Sequence, residues 1–139
     1  MMARVRLSGE RVRGELVRKI EELSGQNLLA CNQCGKCSAG CPAAAVMDLL
    51  PNQVIRYAQF GLEQVLEAKS IWICASCQTC YARCPHGVDL SRIMEALRVI
   101  ALEQGHDHLR PQELDPDEVA EMPQLAVIAG FRKYTMIGG

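Results

Sequence analysis

The hydrophobic positions of this chain recur at three- and four-residue intervals along most of its length, the period of helices packed on one face. The clearest case follows Asp89, a residue suited to cap a helix: Leu90, Ile93, Met94, Leu97, Ile100 and Ala101 form one stripe, and Gly105 stops it. Val12, Leu16, Ile20 and Leu23 form a similar stripe, capped by Ser8 and ending near Gly25. Between the two, residues 43–50 are rich in helix formers. Pro51 then opens a stretch carrying Val54, Ile55, Ala58 and Gln59 that closes at Gly61, and Leu62, Val65 and Leu66 continue at helical spacing to Ser70. Alternation is confined to the N-terminal arm, where Ala3, Val5 and Leu7 interleave with Arg4 and Arg6 and predict a short extended segment. In the tail, Asp115-Pro116-Asp117-Glu118 reads as a helix start that Pro123 limits to about two turns. Residues 125–131 are then apolar, followed by Arg132, Lys133 and a glycine end.

Cysteine fills the gaps in this helical pattern. All eight cysteines lie in two runs, Cys31-x-x-Cys34-x-x-Cys37-x-x-x-Cys41-Pro42 and Cys74-x-x-Cys77-x-x-Cys80-x-x-x-Cys84-Pro85, the second repeating the first 43 residues later. This spacing is a bacterial-type 4Fe-4S signature. A cubane has four irons, each taking one thiolate. Ligands two residues apart wrap three neighbouring corners in one tight loop, and the fourth corner faces away toward a ligand from elsewhere. In two-cluster proteins the fourth cysteine of each run serves the other cluster. Cluster 1 is therefore assigned to Cys31, Cys34, Cys37 and Cys84, and cluster 2 to Cys74, Cys77, Cys80 and Cys41. Pro42 and Pro85 donate no backbone hydrogen bond and fix their own φ, which ends each ligand loop and suits the first position of a following helix.

Other cysteine chemistries fit less well. Eight cysteines allow about 105 disulfide pairings in a secreted scaffold, but residues 1–20 are arginine-rich and lack the apolar stretch of a secretory leader. Zinc takes paired CxxC units in fours, whereas each run here supplies three close thiols and an outlying fourth. A thioredoxin-like pair needs one CxxC beside a βαβ pattern, which the helical periodicity does not offer.

Composition adds two constraints. Only 4% of the 139 residues are aromatic, so an ordinary side-chain core would be thin and the clusters are expected to replace part of it, tying folding to them. The formal charge is −1, which two oxidised clusters with their thiolates would bring to about −5; neither value points to nucleic acid. The ends are polarised: Arg4, Arg6, Arg11, Arg13, Arg18 and Lys19 face Glu10 and Glu15 within residues 1–20. Glu103, Asp107, Glu113, Asp115, Asp117, Glu118 and Glu121 outweigh Arg110 within 103–121. These are solvated faces or surfaces for oppositely charged partners. No apolar run approaches the roughly 18 residues of a membrane span, so a soluble, cytoplasmic chain is expected.

Two such runs joined by helices rather than β-hairpins resemble the α-helical ferredoxin domain of succinate dehydrogenase and fumarate reductase iron–sulfur subunits. The segment Ile71-Trp72-Ile73-Cys74-Ala75-Ser76-Cys77-Gln78-Thr79-Cys80-Tyr81-Ala82-Arg83-Cys84-Pro85-His86-Gly87-Val88-Asp89 resembles HdrC, the ferredoxin-like subunit of soluble heterodisulfide reductase, more closely, as do Ile55-Arg56-Tyr57-Ala58-Gln59-Phe60-Gly61 and Ala96-Leu97-Arg98. The resemblance covers about residues 27–105 and gives no signal for the ends, and with the patterns read above three parts are expected along the chain. These are an N-terminal arm and helix over 1–26, a mainly α, di-cluster ferredoxin domain over 27–105, and a C-terminal docking tail over 106–139. It implies an electron relay through two 4Fe-4S clusters, from a flavin-containing iron–sulfur subunit (HdrA-like) to a catalytic subunit (HdrB-like) that reduces the mixed disulfide of coenzyme M and coenzyme B. Adjacent Cys-Cys pairs mark that catalytic subunit, and this chain has none; nor has it a Gly-x-Gly-x-x-Gly dinucleotide fingerprint.

Around the ligands, Trp72 and Tyr81 flank the second run and either pack or exclude water from its cluster. Lys36, Arg83 and His86 are solvated or stabilise reduced-cluster charge, and Ser38 and Ser76 are placed to hydrogen-bond cluster sulfurs. His106 and His108 straddle Asp107 without further ligands nearby, so a structural or solvent role is expected. No nucleophile and base constellation is present, so any enzymatic activity belongs to a complex rather than to this chain alone. Two other functions compete: a freestanding di-cluster ferredoxin, and an iron–sulfur subunit of a fumarate reductase, glycolate oxidase-type or sulfur-oxidising complex. The fumarate reductase and glycolate oxidase types add a plant-type 2Fe-2S domain or Cys-Cys domains, for which no cysteines remain.

Overall fold

A computed structural model of the chain describes residues 7–106, 110 and 113–132. The expected extended arm at Ala3 and Val5, and Asp107 and His108, lie outside the described residues. The described residues are helical, with no strand among them. The chain divides into two compact units, residues 1–106 and 107–139.

In the first unit the helices are α1 (Gly9–Val12), α2 (Glu15–Ser24), α3 (Lys36–Ala39), α4 (Pro51–Gln59), α5 (Ser70–Ile73), α6 (Thr79–Arg83) and α7 (Leu90–Glu103). Short 3-10 turns at Leu28–Ala30, Ala44–Val46 and Glu63–Glu67 join them. Helix α7 follows its sequence pattern: Asp89 accepts from the amides of Ser91 and Arg92, all six residues of the stripe are buried, and Gly105 adopts φ 79° just beyond the end. It packs against α2, α4 and α5, and Ile20, Leu28, Val54, Val65, Ile71, Ile93 and Leu97 close the core between them with essentially no exposure.

Three sequence expectations change. The N-terminal stripe is not one helix: Ser8 caps only the single turn α1, and Gly14 restarts the chain as α2 from an extended conformation. A Cβ at Gly14 would stand 3.0 Å from the Arg11 carbonyl oxygen, so the break uses the close approach that glycine allows. The restart rephases the buried face to Val17, Ile20 and Ser24, leaving Leu23 48% exposed. Residues 43–50 form only one 3-10 turn before an irregular stretch, because the backbone there is committed elsewhere: the Leu49 amide donates to the Asp48 carboxylate and, at 2.9 Å, to Ser70 Oγ, while the Leu49 carbonyl accepts from the Ser70 hydroxyl. Leu62, Val65 and Leu66 are buried as expected, but on a 3-10 turn, and Ser70 begins α5 rather than ending a helix.

In the second unit, Asp115 caps α8 (Pro116–Glu121) by accepting from the Asp117 amide, and α9 (Gln124–Arg132) follows Pro123. Leu125 and Ile128 on α9 are exposed.

Candidate metal centre

Each cysteine run is a tight loop made by residues in the left-handed region. Gln33 (φ 63°) and Gly35 (φ 78°) bracket Cys34, and Ser76 (φ 51°) and Gln78 (φ 61°) bracket Cys77 at the positions 43 residues on. Three of these four are not glycine, and such residues cost about 1–2 kcal/mol each in this region. A left-handed residue followed by a helical one, as at Gly35 and Gln78, turns successive backbone amides toward one side of the chain, an arrangement that binds anionic groups. After each loop a single helical turn, α3 or α6, carries the chain to the fourth cysteine. These two turns pack against one another, and the Arg83 side chain lies over Gly40, its counterpart in the first run. A Cβ at Gly40 would come within 2.6 Å of the Arg83 guanidinium.

The thiols ring two cavities. One is lined by Cys41, Cys74, Cys77 and Cys80, with apolar walls from Pro42, Met47, Pro51, Leu90 and Met94. The other is lined by Cys31, Cys34, Cys37 and Cys84, with Ile55, Val88 and Leu90 behind them, and Cys80 also reaches it. Each cavity thus meets three thiols of one run and the last thiol of the other. Cys34 and Cys77 are exposed, whereas the remaining six thiols are half-buried. All eight are free of disulfides. Among the described residues no three His, Cys, Asp or Glu side chains converge on a single-ion site; the thiols surround a space instead, as the corners of a cubane require.

Burial pushes the Cys37 and Cys80 thiols up, with neighbouring Cys31 adding to the rise at Cys37, and Cys74 and Cys37 to that at Cys80. The Thr79 hydroxyl, 3.4 Å from the Cys77 sulfur, pulls that exposed thiol down. The sulfurs also receive fixed donors: the Val88 amide reaches Cys84 Sγ at 3.3 Å and Gln33 Nε2 lies 3.6 Å from Cys31 Sγ. Four thiols, apolar walls and amide donors suit a 4Fe-4S cluster in each cavity. Such a cluster stores or releases one electron, and these residues hold it, orient it and limit its contact with water.

Three supporting features escape sequence reading. Gln59, 4% exposed on α4, donates to the carbonyls of Leu28 at 2.7 Å and Cys31 at 3.0 Å. Arg98, half-buried on α7, donates to the carbonyls of Ile71 at 2.9 Å and Cys74 at 3.4 Å, the same two positions 43 residues on, and reaches Ser76 Oγ at 3.4 Å. Each clamps the entry to its ligand loop. Asp48 accepts from the Lys69 and Ser70 amides and the Ser70 hydroxyl, fixing the start of α5 one turn before Cys74. Burial alone would raise its pKa; the Ser70 hydroxyl and the amides of Lys69, Ser70 and Leu49 outweigh it and hold the carboxyl at about 2. The signal in the sequence was a doubled register, since α4 and α7 begin 39 residues apart and so place Gln59 and Arg98 in equivalent positions.

Of the residues singled out in sequence, Lys36 and His86 line the cavity of the first run, while Trp72 packs half-buried on the core and Tyr81 is 47% exposed. Ser38 has two roles: its hydroxyl donates to Asn52 Oδ1 at 2.6 Å and accepts from the Asn52 amide at 3.0 Å, capping α4, and it stands 4.0 Å from Cys37 Sγ, where its hydroxyl and amide oppose the upward push of burial on that thiol. Ser76 faces Arg98.

This architecture is that of a helical iron–sulfur protein with two cubanes, and residues 27–88 match the model of a 4Fe-4S dicluster domain. The chain holds two 4Fe-4S clusters and is built for electron transfer. Within that class it is similar to the HdrC-type iron–sulfur subunits of heterodisulfide reductases. It is 38% identical over 81 residues to the second such subunit of the CoB–CoM heterodisulfide reductase of Methanocaldococcus jannaschii, covering 58% of this chain and 44% of that protein. The corresponding CoB–CoM heterodisulfide reductase iron–sulfur subunit in Methanopyrus kandleri is 35% identical over 94 residues, 66% of this chain and 49% of that one. Its counterpart in the ferredoxin:CoB–CoM heterodisulfide reductase of Methanosarcina mazei is 32% identical over 99 residues, 69% and 62% respectively. The chain spans about half the length of the curated relatives it matches. Among the described residues no helix is long and apolar enough to cross a membrane.

Proposed function

We propose that the chain is the electron-transfer subunit of a cytoplasmic heterodisulfide reductase-like complex. It relays electrons through two clusters from a flavin-containing iron–sulfur subunit (HdrA-like) to a disulfide-reducing catalytic subunit (HdrB-like). The observation that carries this reading is the pair of thiol-ringed cavities joined at Cys80, with Cys37 of the first run close enough to raise the proton affinity of Cys80 at the centre. Exposed Cys34 and Cys77 mark the edges where partners gain access. A relay needs this: close clusters inside, and an open face for each neighbour. The names of the relatives, subunits of heterodisulfide reductases, support partner subunits in general, and purification of the native complex tests which they are. Recovery with a flavoprotein and a Cys-Cys-motif subunit is expected; a lone carrier that serves several enzymes would overturn the reading.

The same proposal assigns Cys31, Cys34, Cys37 and Cys84 to cluster 1 and Cys74, Cys77, Cys80 and Cys41 to cluster 2, supported by the composition of the two cavities. Under this assignment Cys41→Ser and Cys77→Ser disturb the same electron paramagnetic resonance signal, and Cys84→Ser and Cys34→Ser the other. If Cys41→Ser pairs instead with Cys34→Ser, the crossed assignment is wrong.

A further inference from the structure

Gln59 and Arg98 do the same mechanical work in the two halves, each holding the two carbonyls at the entry to a ligand loop. They differ in charge. Gln59 is neutral, whereas the Arg98 guanidinium is a cation. Arg98 is half-buried against its loop, and among the described residues no carboxylate lies within ion-pair distance of it. Lys36 and His86, which line the other cavity, are exposed, so solvent and salt screen their charge more. Adding one electron to a cubane makes its site more negative by one unit, and a fixed, poorly screened cation held on the carbonyls of the ligand loop, behind the cavity wall, favours that reduced form.

We propose that Arg98 is a positioning residue that makes the cluster at Cys74, Cys77 and Cys80 the higher-potential member of the pair, while Gln59 leaves the cluster at Cys31, Cys34 and Cys37 lower. In a molecule holding one electron, that electron rests at the second run. The inference deepens the relay reading and rests on it and on the crossed ligand assignment.

Redox titration of the anaerobically prepared full chain, followed by electron paramagnetic resonance, tests it. Two separate one-electron midpoints are expected, the higher belonging to the signal that Cys77→Ser disturbs. Arg98→Gln installs the side chain that already makes this clamp at position 59, and lowers that midpoint alone, narrowing the gap. Arg98→Lys keeps the charge and leaves the midpoint near its original value. Coincident or reversed midpoints in the parent protein overturn the proposal. So does an Arg98→Gln shift in both clusters or neither, an Arg98→Lys shift as large as that of Arg98→Gln, or loss of the second cluster from Arg98→Gln. Iron content separates two kinds of failure. A parent protein with far fewer than about eight irons refutes the two-cluster reading itself, whereas full iron with unmoved midpoints refutes only the role of Arg98.

Discussion

Asp48 shows how a single side chain ties the two halves together. It sits after the first run, yet its carboxylate accepts hydrogen bonds from Lys69, Ser70 and Leu49 and so holds the helix that delivers Cys74. Asp48 is exposed, so solvent screens its charge, and its loss in Asp48→Ala is expected to cost about 1–2 kcal/mol, mostly through the freed donors. Because the folded-state pKa is depressed to about 2, below the unfolded value, this stabilisation is present in full above roughly pH 4 and is lost as pH falls toward 2. Denaturant unfolding of the parent and of Asp48→Ala at pH 7 and pH 5 should therefore give the same difference. A difference that disappears already at pH 5 would show that the carboxylate is not held down. The thiols titrate in the opposite sense for assembly: burial raises Cys37 and Cys80, so cluster insertion must displace protons there, and reconstitution with iron and sulfide is expected to speed up as pH rises from 7 to 9. Absorbance near the cluster charge-transfer band follows the rate.

Elements were legible where one local rule governed them. Helix α7 needed only its stripe, its Asp89 cap and Gly105, all consecutive in the sequence. The cysteine loops were legible because spacing alone dictates which thiols share a curve. The connection over residues 43–50 was not, because its backbone bonds to Ser70, a partner 21 residues away that no periodicity announces. Gln59 and Arg98 were hidden for a similar reason. The ligand runs repeat at 43 residues and the helices at 39, so a repeat sought at one offset misses the clamps. Gly61 joins two elements in the same unannounced way: it has φ 61°, and a Cβ there would stand 2.3 Å from the Arg11 backbone carbonyl oxygen. Gly105 has a comparable φ of 79° but open space around it. Alanine at 105 is therefore expected to cost only the left-handed strain, about 1–2 kcal/mol. Alanine at 61 must in addition push the α1–α2 junction away from the end of α4. Comparative denaturant unfolding checks the order, and equal losses would show that the contact with Arg11 yields freely.

For the molecule as a whole, the question is how much of the fold stands without its clusters. The buried face of α7 and its partners α2 and α4 forms one continuous hydrophobic cluster, and Cys31, Cys37, Cys74, Cys80 and Cys84 pack only along its border. The turns that carry the ligands are four or five residues long, far below the length at which a helix persists alone. Their loops also hold three non-glycine residues in the left-handed region, a strain that cluster ligation offsets. Removal of iron under anaerobic conditions should therefore divide the molecule instead of melting it uniformly. Amides in 51–59 and 90–103 are expected to retain measurable protection from hydrogen exchange, because the helices whose carbonyls they bond are packed against the side chains of the core. Amides in 31–41 and 74–84 should exchange faster, because besides sulfur and iron only single turns and a few side-chain clamps hold them. The clamps sharpen the contrast, since Gln59 and Arg98 grip mainly the entry of each run, with Arg98 reaching in addition only Ser76, and leave most of the loop to the metal. Equal loss of protection across both sets would mean that the clusters hold the helical core as well, and that folding and metallation are a single event in this chain.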